Sequence, residues 1–562
     1  MPARIVGLLA LTVIIAWAPL GAAQRLPLEP DPAPELTPNL GWIQADEPLL
    51  FADQLAGHVV LLDFWTYCCI NCLHVLPDLE YLEQKYKDEP FVVIGVHSAK
   101  FEDEGRPENV HQAVEKYDIK HPVVVDDDMR IWRRYGVRAW PTFVLIGSDG
   151  NVIGHASGEG NRELLDEAIA MALDQGRERG DLAEIPLDWH PDEDETAGPG
   201  SATELRFPGK VLAVAPGDQI EQGALFIADS SHDRVIHATW PDNAGRAEIV
   251  TIYGNGSRGL TDGSAAEARF HDPQGFTLSH DGGTLYIADT KNHAVRAIDL
   301  GSRMVTTIAG TGEQTFDRVG GGIGTDQAIS SPWALQLSRG GNTLYIAMAG
   351  RHQLWATTLH DGRTGAWVGS GRENIDDGPV RSATLAQPSG FSLSNDGQTL
   401  YFADSETSAI RAVDLREQRV RTIVGTGLFD FGDIDGPIAS ARLQHALGVA
   451  TISPQQAVDG WRSPEPPSED GTPAPPTADR LLVADTYNNK LKVLDLGAGT
   501  VTSWFDREVA GRRLDEPGGL SLASGYAFVA DTNAHRIVRI DLATRAAVEI
   551  NLEEPDAGLD HP

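Results

Sequence analysis

A repeated motif most constrains what this chain can fold into. An apolar stretch ending in Ala-Asp recurs five times, and a sixth, degenerate copy ends in Met348. Successive copies lie 46 to 81 residues apart, which leaves room for four short antiparallel strands in each repeat. The copies are Phe226-Ile227-Ala228-Asp229, Tyr286-Ile287-Ala288-Asp289, Tyr345-Ile346-Ala347-Met348, Tyr401-Phe402-Ala403-Asp404, Leu482-Val483-Ala484-Asp485 and Phe528-Val529-Ala530-Asp531. Such repeats bury their faces only against neighbouring repeats, so the sequence predicts an all-β propeller of six blades over residues 204–552.

Two segments of this region fall outside the repeat pattern. Residues 453–479, in the widest interval, are rich in Pro, Ser and Glu, which predicts a solvated insertion in the fifth blade. A docking segment is the alternative. Residues 553–562 are predicted to form a tail.

Charged residues recur at fixed places in the repeats. The Asp after Ala is predicted to be a turn residue whose carboxylate accepts hydrogen bonds from backbone N–H groups. A recurring Arg predicts ion pairs with acids between blades, an anion site being the alternative; the positions are Arg234, Arg296, Arg411 and Arg536. No His residues cluster at ligand spacing, so no metal site is predicted in the propeller.

The residues before the repeats have a different pattern. Continuous apolar runs at 58–64 and 91–96 predict buried strands, and apolar residues at helical spacing in 76–86 predict a helix. Strands that alternate with helices predict an α/β domain over residues 46–184 with helices on both faces of a mostly parallel sheet. An acidic, Pro-containing stretch at 185–203 is the predicted linker to the propeller.

The N-terminus has the pattern of an export signal. Arg4 precedes an apolar run at 5–17, and the small residues Gly21-Ala22-Ala23 follow, which predicts a signal peptide over residues 1–23. An uncleaved membrane anchor is the alternative. Five Pro residues between positions 24 and 45 predict an extended spacer. We therefore expect a periplasmic or secreted protein.

Composition narrows the function. A formal net charge of −36 disfavours binding to nucleic acids and to anionic membranes. Three Cys residues are too few for a disulfide framework in 562 residues, and all three lie within residues 68–72. This spacing points to one reactive site containing a CxxC pair, Cys69 and Cys72.

Several motifs together resemble a known family. The first domain resembles thioredoxin, and more closely its exported TlpA-like branch, while Ala288-Asp289-Thr290-Lys291-Asn292-His293 resembles the NHL repeat. The motifs that carry the first resemblance are Val60-Leu61-Leu62-Asp63-Phe64-Trp65, Cys69-Ile70-Asn71-Cys72, Pro77 and Trp140-Pro141-Thr142-Phe143. The domain order and Cys68-Cys69-Ile70-Asn71-Cys72 resemble the NHL repeat-containing protein 2 family. The implied fold is thioredoxin-like α/β followed by the propeller.

The resemblance and the motif give each site residue an expected role. Cys69, at a strand-to-helix junction, would be the attacking thiolate, and Cys72 would resolve the mixed disulfide. In the thioredoxin pattern Asp63 takes the proton of the resolving thiol. Pro141 matches the cis-proline of the fold, and Trp65 matches the flanking aromatic residue, which we expect to be half core and half substrate platform.

Three departures from the thioredoxin pattern affect the site. Cys68 replaces the usual Trp, so it could form an alternative or intermolecular bridge or remain a satisfied thiol. Ile70-Asn71 replaces Gly-Pro, so the reduction potential cannot be carried over. Trp140 is bulkier than the usual residue before the cis-proline and is expected to narrow the substrate groove.

These observations predict an exported thiol-disulfide oxidoreductase. The propeller would be a recognition platform for the disulfide of a client protein or peptide, and a membrane or exported donor would supply electrons if the enzyme reduces. No cofactor is expected besides the cysteine pair. A binding or scaffold protein with a vestigial CxxC is the alternative.

Copper delivery is a third alternative. Cys68 and Cys72 have the CxxxC spacing of copper chaperones, and His74, His97 or His121 could add an imidazole for Cu(I). The fit of Asp63 to dithiol exchange disfavours this interpretation, so the site is predicted to hold no metal.

Overall fold

A computed structural model describes residues 31–187, 201–453 and 479–554. The predicted signal peptide, most of the acidic linker, the body of the predicted insertion and all but two residues of the tail lie outside these ranges. Among the described helices, none combines the length and apolarity that crossing a membrane requires.

The first domain is the predicted α/β unit, but the prediction of a mostly parallel sheet is wrong, because three of its five strand pairs are antiparallel. Its sheet has the order β1-β4-β3-β2-β5-β6, in which β2, β3 and β4 are parallel to one another and the other pairs are antiparallel. The elements are β1 (Trp42–Ile43), β2 (Val59–Trp65), α1 (Ile70–Tyr86), β3 (Phe91–His97), α2 (Pro107–Lys116), β4 (Val123–Val125), α3 (Arg130–Arg134), β5 (Thr142–Ile146), β6 (Val152–Ser157) and α4 (Arg162–Arg179).

The apolar residues of β2 pack on both faces of this sheet. Val59 and Leu61 pack with residues of α1 and α4, whereas Val60 and Leu62 pack with residues of α3. Because side chains alternate along a strand, Asp63 lies on the same face as Leu61, toward α1. The sheet therefore positions this carboxyl group beneath the helix that carries Cys72.

The predicted spacer over residues 24–45 is wrong for the part that the structure describes. The N–H of Ala33 donates to the carbonyl of Gly150 at 2.9 Å, and Leu36 is completely buried in the α3 side of the core. Strand β1 then pairs with β4. Apolar side chains between the Pro residues bury enough surface to fix this segment on the domain.

The propeller has six sheets within the described residues, which confirms the predicted fold. Its strands are β7 (Lys210–Val214), β8 (Ala224–Asp229), β9 (Arg234–Thr239), β10 (Arg246–Tyr253), β11 (Gly263–Ser264), β12 (Pro273–Leu278), β13 (Thr284–Asp289), β14 (Ala294–Asp299), β15 (Met304–Ala309), β16 (Gly320–Ile323), β17 (Pro332–Leu337), β18 (Thr343–Met348), β19 (Gln353–Thr358), β20 (Arg363–Val368), β21 (Gly378–Pro379), β22 (Pro388–Leu393), β23 (Thr399–Asp404), β24 (Ala409–Asp414), β25 (Arg419–Val424), β26 (Gly436–Pro437), β27 (Gly448–Ile452), β28 (Arg480–Asp485), β29 (Lys490–Asp495), β30 (Thr500–Phe505), β31 (Pro517–Ala523), β32 (Tyr526–Asp531), β33 (Arg536–Asp541), β34 (Ala547–Glu549) and β35 (Asn551–Glu553).

The blades form a closed ring. Strands β7, β12, β17, β22, β27 and β31 contact one another in succession, and β31 contacts β7. The C-terminal β35 pairs in parallel with β10 of the first blade. Short outer strands give five of the described sheets a fifth strand beyond the four predicted.

The recurring Asp residues have the predicted capping role and also form ion pairs. Asp289 Oδ1 accepts a hydrogen bond from the N–H of His271 at 2.8 Å, and its Oδ2 lies 2.7 Å from Arg296 Nη1. Equivalent pairs recur in other blades: Arg234–Asp229, Arg411–Asp404, Lys492–Asp485 and Arg536–Asp531. These pairs join strands of one blade, so the predicted pairing between blades is wrong: Asp and Arg lie on adjacent strands of the same sheet.

Removing one such carboxylate should weaken the propeller. Asp404→Ala leaves the fully buried Arg411 without its buried partner, and we expect a loss of about 3–5 kcal/mol in the free energy of unfolding. Urea denaturation monitored by tryptophan fluorescence measures the loss. Asp326→Ala, at an exposed position of the propeller, is the control and should have little effect; equal effects of the two substitutions would contradict the prediction.

Candidate active site

The two cysteines of the CxxC motif lie on the first turn of α1. Cys69 is the N-cap residue of that helix, and the N–H of Cys72 donates to its carbonyl oxygen at 3.0 Å. Both carry free thiols. Cys72 is completely buried, whereas Cys69 keeps part of its surface exposed. Of the two residues, Cys69 is therefore the more accessible to an outside reagent.

Asp63 is a buried acid without a partner. Both carboxylate oxygens lack a hydrogen-bond partner within the described part of the chain, and the residue has no exposed surface. Burial raises the pKa of Asp63 to about 7. The pKa of Cys72 is also raised, first by burial, then by its hydrogen bond with Cys69 and by the charges of Cys69 and Asp63. A base that ionises near neutral pH thus lies close to the buried thiol.

The Trp140-Pro141 pair lies beside the motif. Its peptide bond is cis, as in the thioredoxin pattern. The half-buried Trp140 donates from Nε1 to the carbonyl of Ser98 at 3.1 Å, and its ring centroid lies 4.5 Å from that of Trp132. These contacts fix the indole, which packs against the same apolar cluster as the partly exposed Cys69.

Trp65 does not form part of a substrate platform. Only 1% of its surface is exposed, and its ring meets the edge of His97 at a centroid distance of 5.0 Å. The expectation of a half-exposed aromatic is wrong, because Trp65 is the last residue of a strand buried along its whole length.

The propeller covers the cysteine motif. Gln387, just before β22, accepts a hydrogen bond from the N–H of Ile70 at 2.8 Å and donates one to the carbonyl of Cys68 at 2.8 Å. One propeller side chain therefore bonds to the backbone on both sides of Cys69.

Further polar contacts join the two domains around Gln387. Tyr67 donates to Glu516 Oε1 at 3.0 Å, and the N–H of Glu102 donates to Gln444 Oε1 at 3.1 Å. Lys100 forms a buried ion pair with Glu406. Sequence motifs gave no signal for these residues, because the partners are separated by more than 300 positions.

The three His residues considered as copper ligands have other partners in the structure. His74 contacts Glu159 and Ser331, both at 2.7 Å, and His121 contacts Glu83 at 3.2 Å. His97 is completely buried behind Trp65. Within the described residues, the group that could hold an ion contains none of the three.

Cys68 is a buried thiol at the interface. Only 3% of its surface is exposed, and its N–H donates to Glu104 Oε1 at 2.9 Å. Burial, and then the nearby charge of Glu104, raise the pKa of Cys68 well above its ordinary value. Cys68 lies next to Glu406 and His445 of the propeller. In this conformation it is a protonated side chain that an outside thiol cannot easily reach.

Comparison with known proteins shows the family to which the chain belongs. Thioredoxin-like and NHL repeat models match residues 57–152 and 270–298. NHL repeat-containing protein 2 of Bos taurus is 37% identical over 549 residues, which cover 91% of this chain and 70% of that protein. The chain belongs to the NHL repeat-containing protein 2 family.

Two other relatives match different shares of this chain. Protein SUPPRESSOR OF QUENCHING 1, chloroplastic, of Arabidopsis thaliana is 42% identical over 526 residues, covering 91% of this chain but 46% of that protein. Thiol-disulfide oxidoreductase ResA of Halalkalibacterium halodurans is 29% identical over 119 residues, 21% of this chain and 64% of that protein. The thioredoxin-like domain is thus related to thiol-disulfide oxidoreductases, and the chain spans about half of the Arabidopsis relative.

In this NHL repeat-containing protein 2 family member, a cavity of about 340 Å³ lies between the two domains. Ile70, Leu73 and His74 of α1 line one side, and His293 and Trp333 of the propeller line the other. The cavity has apolar and ionisable walls and begins at the residue that follows Cys69. Its volume is in the range of cavities that bind small ligands.

Gln387→Ala should make the cysteine motif more accessible to reagents. The substitution removes two buried hydrogen bonds across the interface, so we expect alkylation of Cys68 to become about tenfold faster, equivalent to about 1.4 kcal/mol. Mass spectrometry after timed treatment with iodoacetamide gives the rate at each cysteine. Gln398→Ala, at an exposed position of the same blade, should leave that rate unchanged. Equal rates in the Gln387 variant and the unsubstituted protein would contradict the prediction.

Proposed function

We propose that this chain is a thiol-disulfide oxidoreductase that uses Cys69 and Cys72 as its redox pair. The observation that carries the proposal is the placing of the unpartnered, fully buried Asp63 beneath a buried Cys72 and a partly exposed Cys69. A buried carboxyl group without hydrogen bonds destabilises the fold, and proton transfer gives it a function there. The cysteine pair is the redox group, and the proposal needs no other cofactor.

The reaction would proceed by two exchanges. The Cys69 thiolate attacks one sulfur of a client disulfide, whose S–S bond breaks as a mixed disulfide forms and the first client thiolate leaves. Asp63 then takes the proton of Cys72, and the resulting thiolate attacks the sulfur of Cys69. This releases the second client thiolate and forms the Cys69–Cys72 disulfide. Two electrons pass to the client, and a dithiol protein must reduce the pair again.

The position of the propeller changes the role that we propose for it. It lies over the CxxC motif, so it would select clients by what fits the interdomain cavity instead of presenting an open surface. An extended peptide along Ile70 and Leu73 would bring its disulfide to Cys69. Its identity as a client protein or peptide, and a periplasmic or secreted location, are parts of this proposal supported by the CxxC chemistry and the signal-like N-terminus.

Trapping of the mixed disulfide tests the proposal. Cys72→Ser removes the resolving thiol, so clients should remain bound to Cys69 and be released by reductant. The matched control, Cys69→Ser combined with Cys72→Ser, should capture none. Exposure to a library of disulfide-bonded peptides, followed by mass spectrometry, identifies captured clients. If the library of disulfide-bonded peptides gives no adducts that depend on Cys69, the proposal fails.

One observation favours a second candidate, a binding protein with a vestigial motif. Gln387 bonds to the backbone of both Cys68 and Ile70, which restricts access to the motif. On that hypothesis the domains would stay closed, and the trapping experiment would give no adducts in the Gln387→Ala background either. If the Gln387→Ala substitution increases the yield of adducts, this second candidate is excluded.

A further inference from the structure

Three chemically complementary side chains meet at the domain interface, away from the CxxC pair. Cys68 comes from the loop before α1, Glu406 from the short helical turn after β23, and His445 from the loop before β27. A thiol sulfur, a carboxylate oxygen and an imidazole nitrogen, one from each, all lie within 4.8 Å of one another. All three residues are buried, with 2% to 4% of their surface exposed.

Two atoms of this group lack hydrogen-bond partners within the described residues. They are Glu406 Oε1 and His445 Nδ1, which lie 3.7 Å apart, too far for a hydrogen bond. Leaving such groups buried and unsatisfied costs free energy. A ligand between them would remove this cost.

The surrounding residues hold the unpartnered atoms in place. The His445 ring is stacked on Tyr487 at a centroid distance of 4.4 Å, and Phe101 meets it edge-on at 5.2 Å. Lys100 pairs with the other carboxylate oxygen of Glu406, Oε2, which leaves Oε1 facing the group. The site is therefore preorganised by packing from both domains.

We propose that Cys68, Glu406 and His445 bind one divalent transition-metal ion of the Zn²⁺ type. Thiolate, imidazole and carboxylate are the ligands that Zn²⁺ takes in proteins, and three protein ligands leave a fourth position for water. Binding replaces the proton of Cys68 by the ion, and that proton passes to solvent.

The charge of the surroundings suits a divalent cation. Glu104, Glu406 and the Cys68 thiolate carry three negative charges when ionised, and Lys100 offsets one of them. Glu104 lies next to Cys68 and accepts a hydrogen bond from its backbone N–H at 2.9 Å. The two remaining negative charges would be balanced by the ion.

The site would link the two domains. Cys68 belongs to the thioredoxin-like domain, whereas Glu406 and His445 belong to the propeller, so the ion would hold the propeller closed over the CxxC motif. It would also give Cys68 a role outside thiol exchange. The inference is independent of the proposed oxidoreductase function, since neither Cys69 nor Cys72 is a ligand.

Cobalt binding tests the proposal on the full chain. Protein freed of metal with EDTA should bind one Co²⁺ per chain, with thiolate-to-metal charge-transfer absorption that disappears when Zn²⁺ is added. Cys68→Ser should abolish this absorption, and His445→Gln should weaken Co²⁺ binding by about 100-fold or more. The double variant Cys69→Ser, Cys72→Ser is the matched control and should keep both the absorption and the stoichiometry.

A second readout covers variants that fold poorly. Zn²⁺ should raise the Tm of the unsubstituted protein and not that of Glu406→Gln, with both compared with their own values in EDTA. The proposal is overturned if the unsubstituted protein binds no Co²⁺, or if Cys68→Ser binds as well as it does. Loss of binding in the double variant alone would also overturn it, because the ion would then be held by the CxxC dithiol.

Discussion

Replacing Cys69 with Ser is expected to slow thiol-disulfide exchange by about 10³-fold or more, because a hydroxyl group is a poor nucleophile at neutral pH. Cys72 cannot substitute for it, since its sulfur is completely buried. The initial rate at which the reduced protein reduces a fluorescent peptide disulfide measures the effect.

Cys68→Ser separates this prediction from a general effect of losing a thiol. Cys68 neighbours Cys69 in sequence, but burial and acidic neighbours keep it protonated. We expect its substitution to leave the exchange rate within about tenfold of the unsubstituted value. An equal loss in the two variants would contradict the prediction, because exchange would then require Cys68 as well as Cys69.

Asp63→Asn is expected to lower turnover by about 10²-fold or more, since the buried Cys72 then has no base to take its proton. The pKa of Asp63 is about 7, and only the ionised form accepts a proton. Turnover of the unsubstituted protein should therefore rise with pH through about 7, and that rise should be absent from the variant. Steady-state rates from about pH 5 to about pH 9 test both points. The same pH dependence in both proteins would exclude Asp63 as the base.

The same carboxyl group should make stability depend on pH. Its folded-state pKa of about 7 lies above the ordinary value of 3.8, so the folded protein holds the proton more tightly. The resulting contribution to the free energy of unfolding is complete below the pKa of the unfolded state. It is lost as pH rises through the pKa of the folded state. Relative to Asp63→Asn, the unsubstituted protein should lose about 2–3 kcal/mol of unfolding free energy between about pH 5 and about pH 7.

Urea denaturation at the two pH values measures this difference. Asp53→Asn, at an exposed turn, is the control and should not change the pH dependence. A stability difference between Asp63→Asn and the unsubstituted protein that is constant with pH would contradict the prediction.

Much of the fold follows from local patterns. The repeated motif marks the second strand of each blade. This was predictable because apolar residues followed by a turn residue determine a strand and its end over a few positions. The CxxC pair and Pro141 were found for the same reason, since the chemistry requires fixed residue types at short spacing. The predicted spacer failed because its burial depends on contacts with a distant strand and helix.

The sequence by itself determined the two folds and the position of all three cysteines within residues 68–72. Tertiary structure alone decided that Gln387 bonds on both sides of Cys69, that Trp65 is core, and that Cys68 meets Glu406 and His445. The contacts of Gln387 and Cys68 join residues more than 300 positions apart, and they depend on how two independently patterned domains pack against each other. Periodicity and motif spacing describe each domain separately, so they carry no information about that packing.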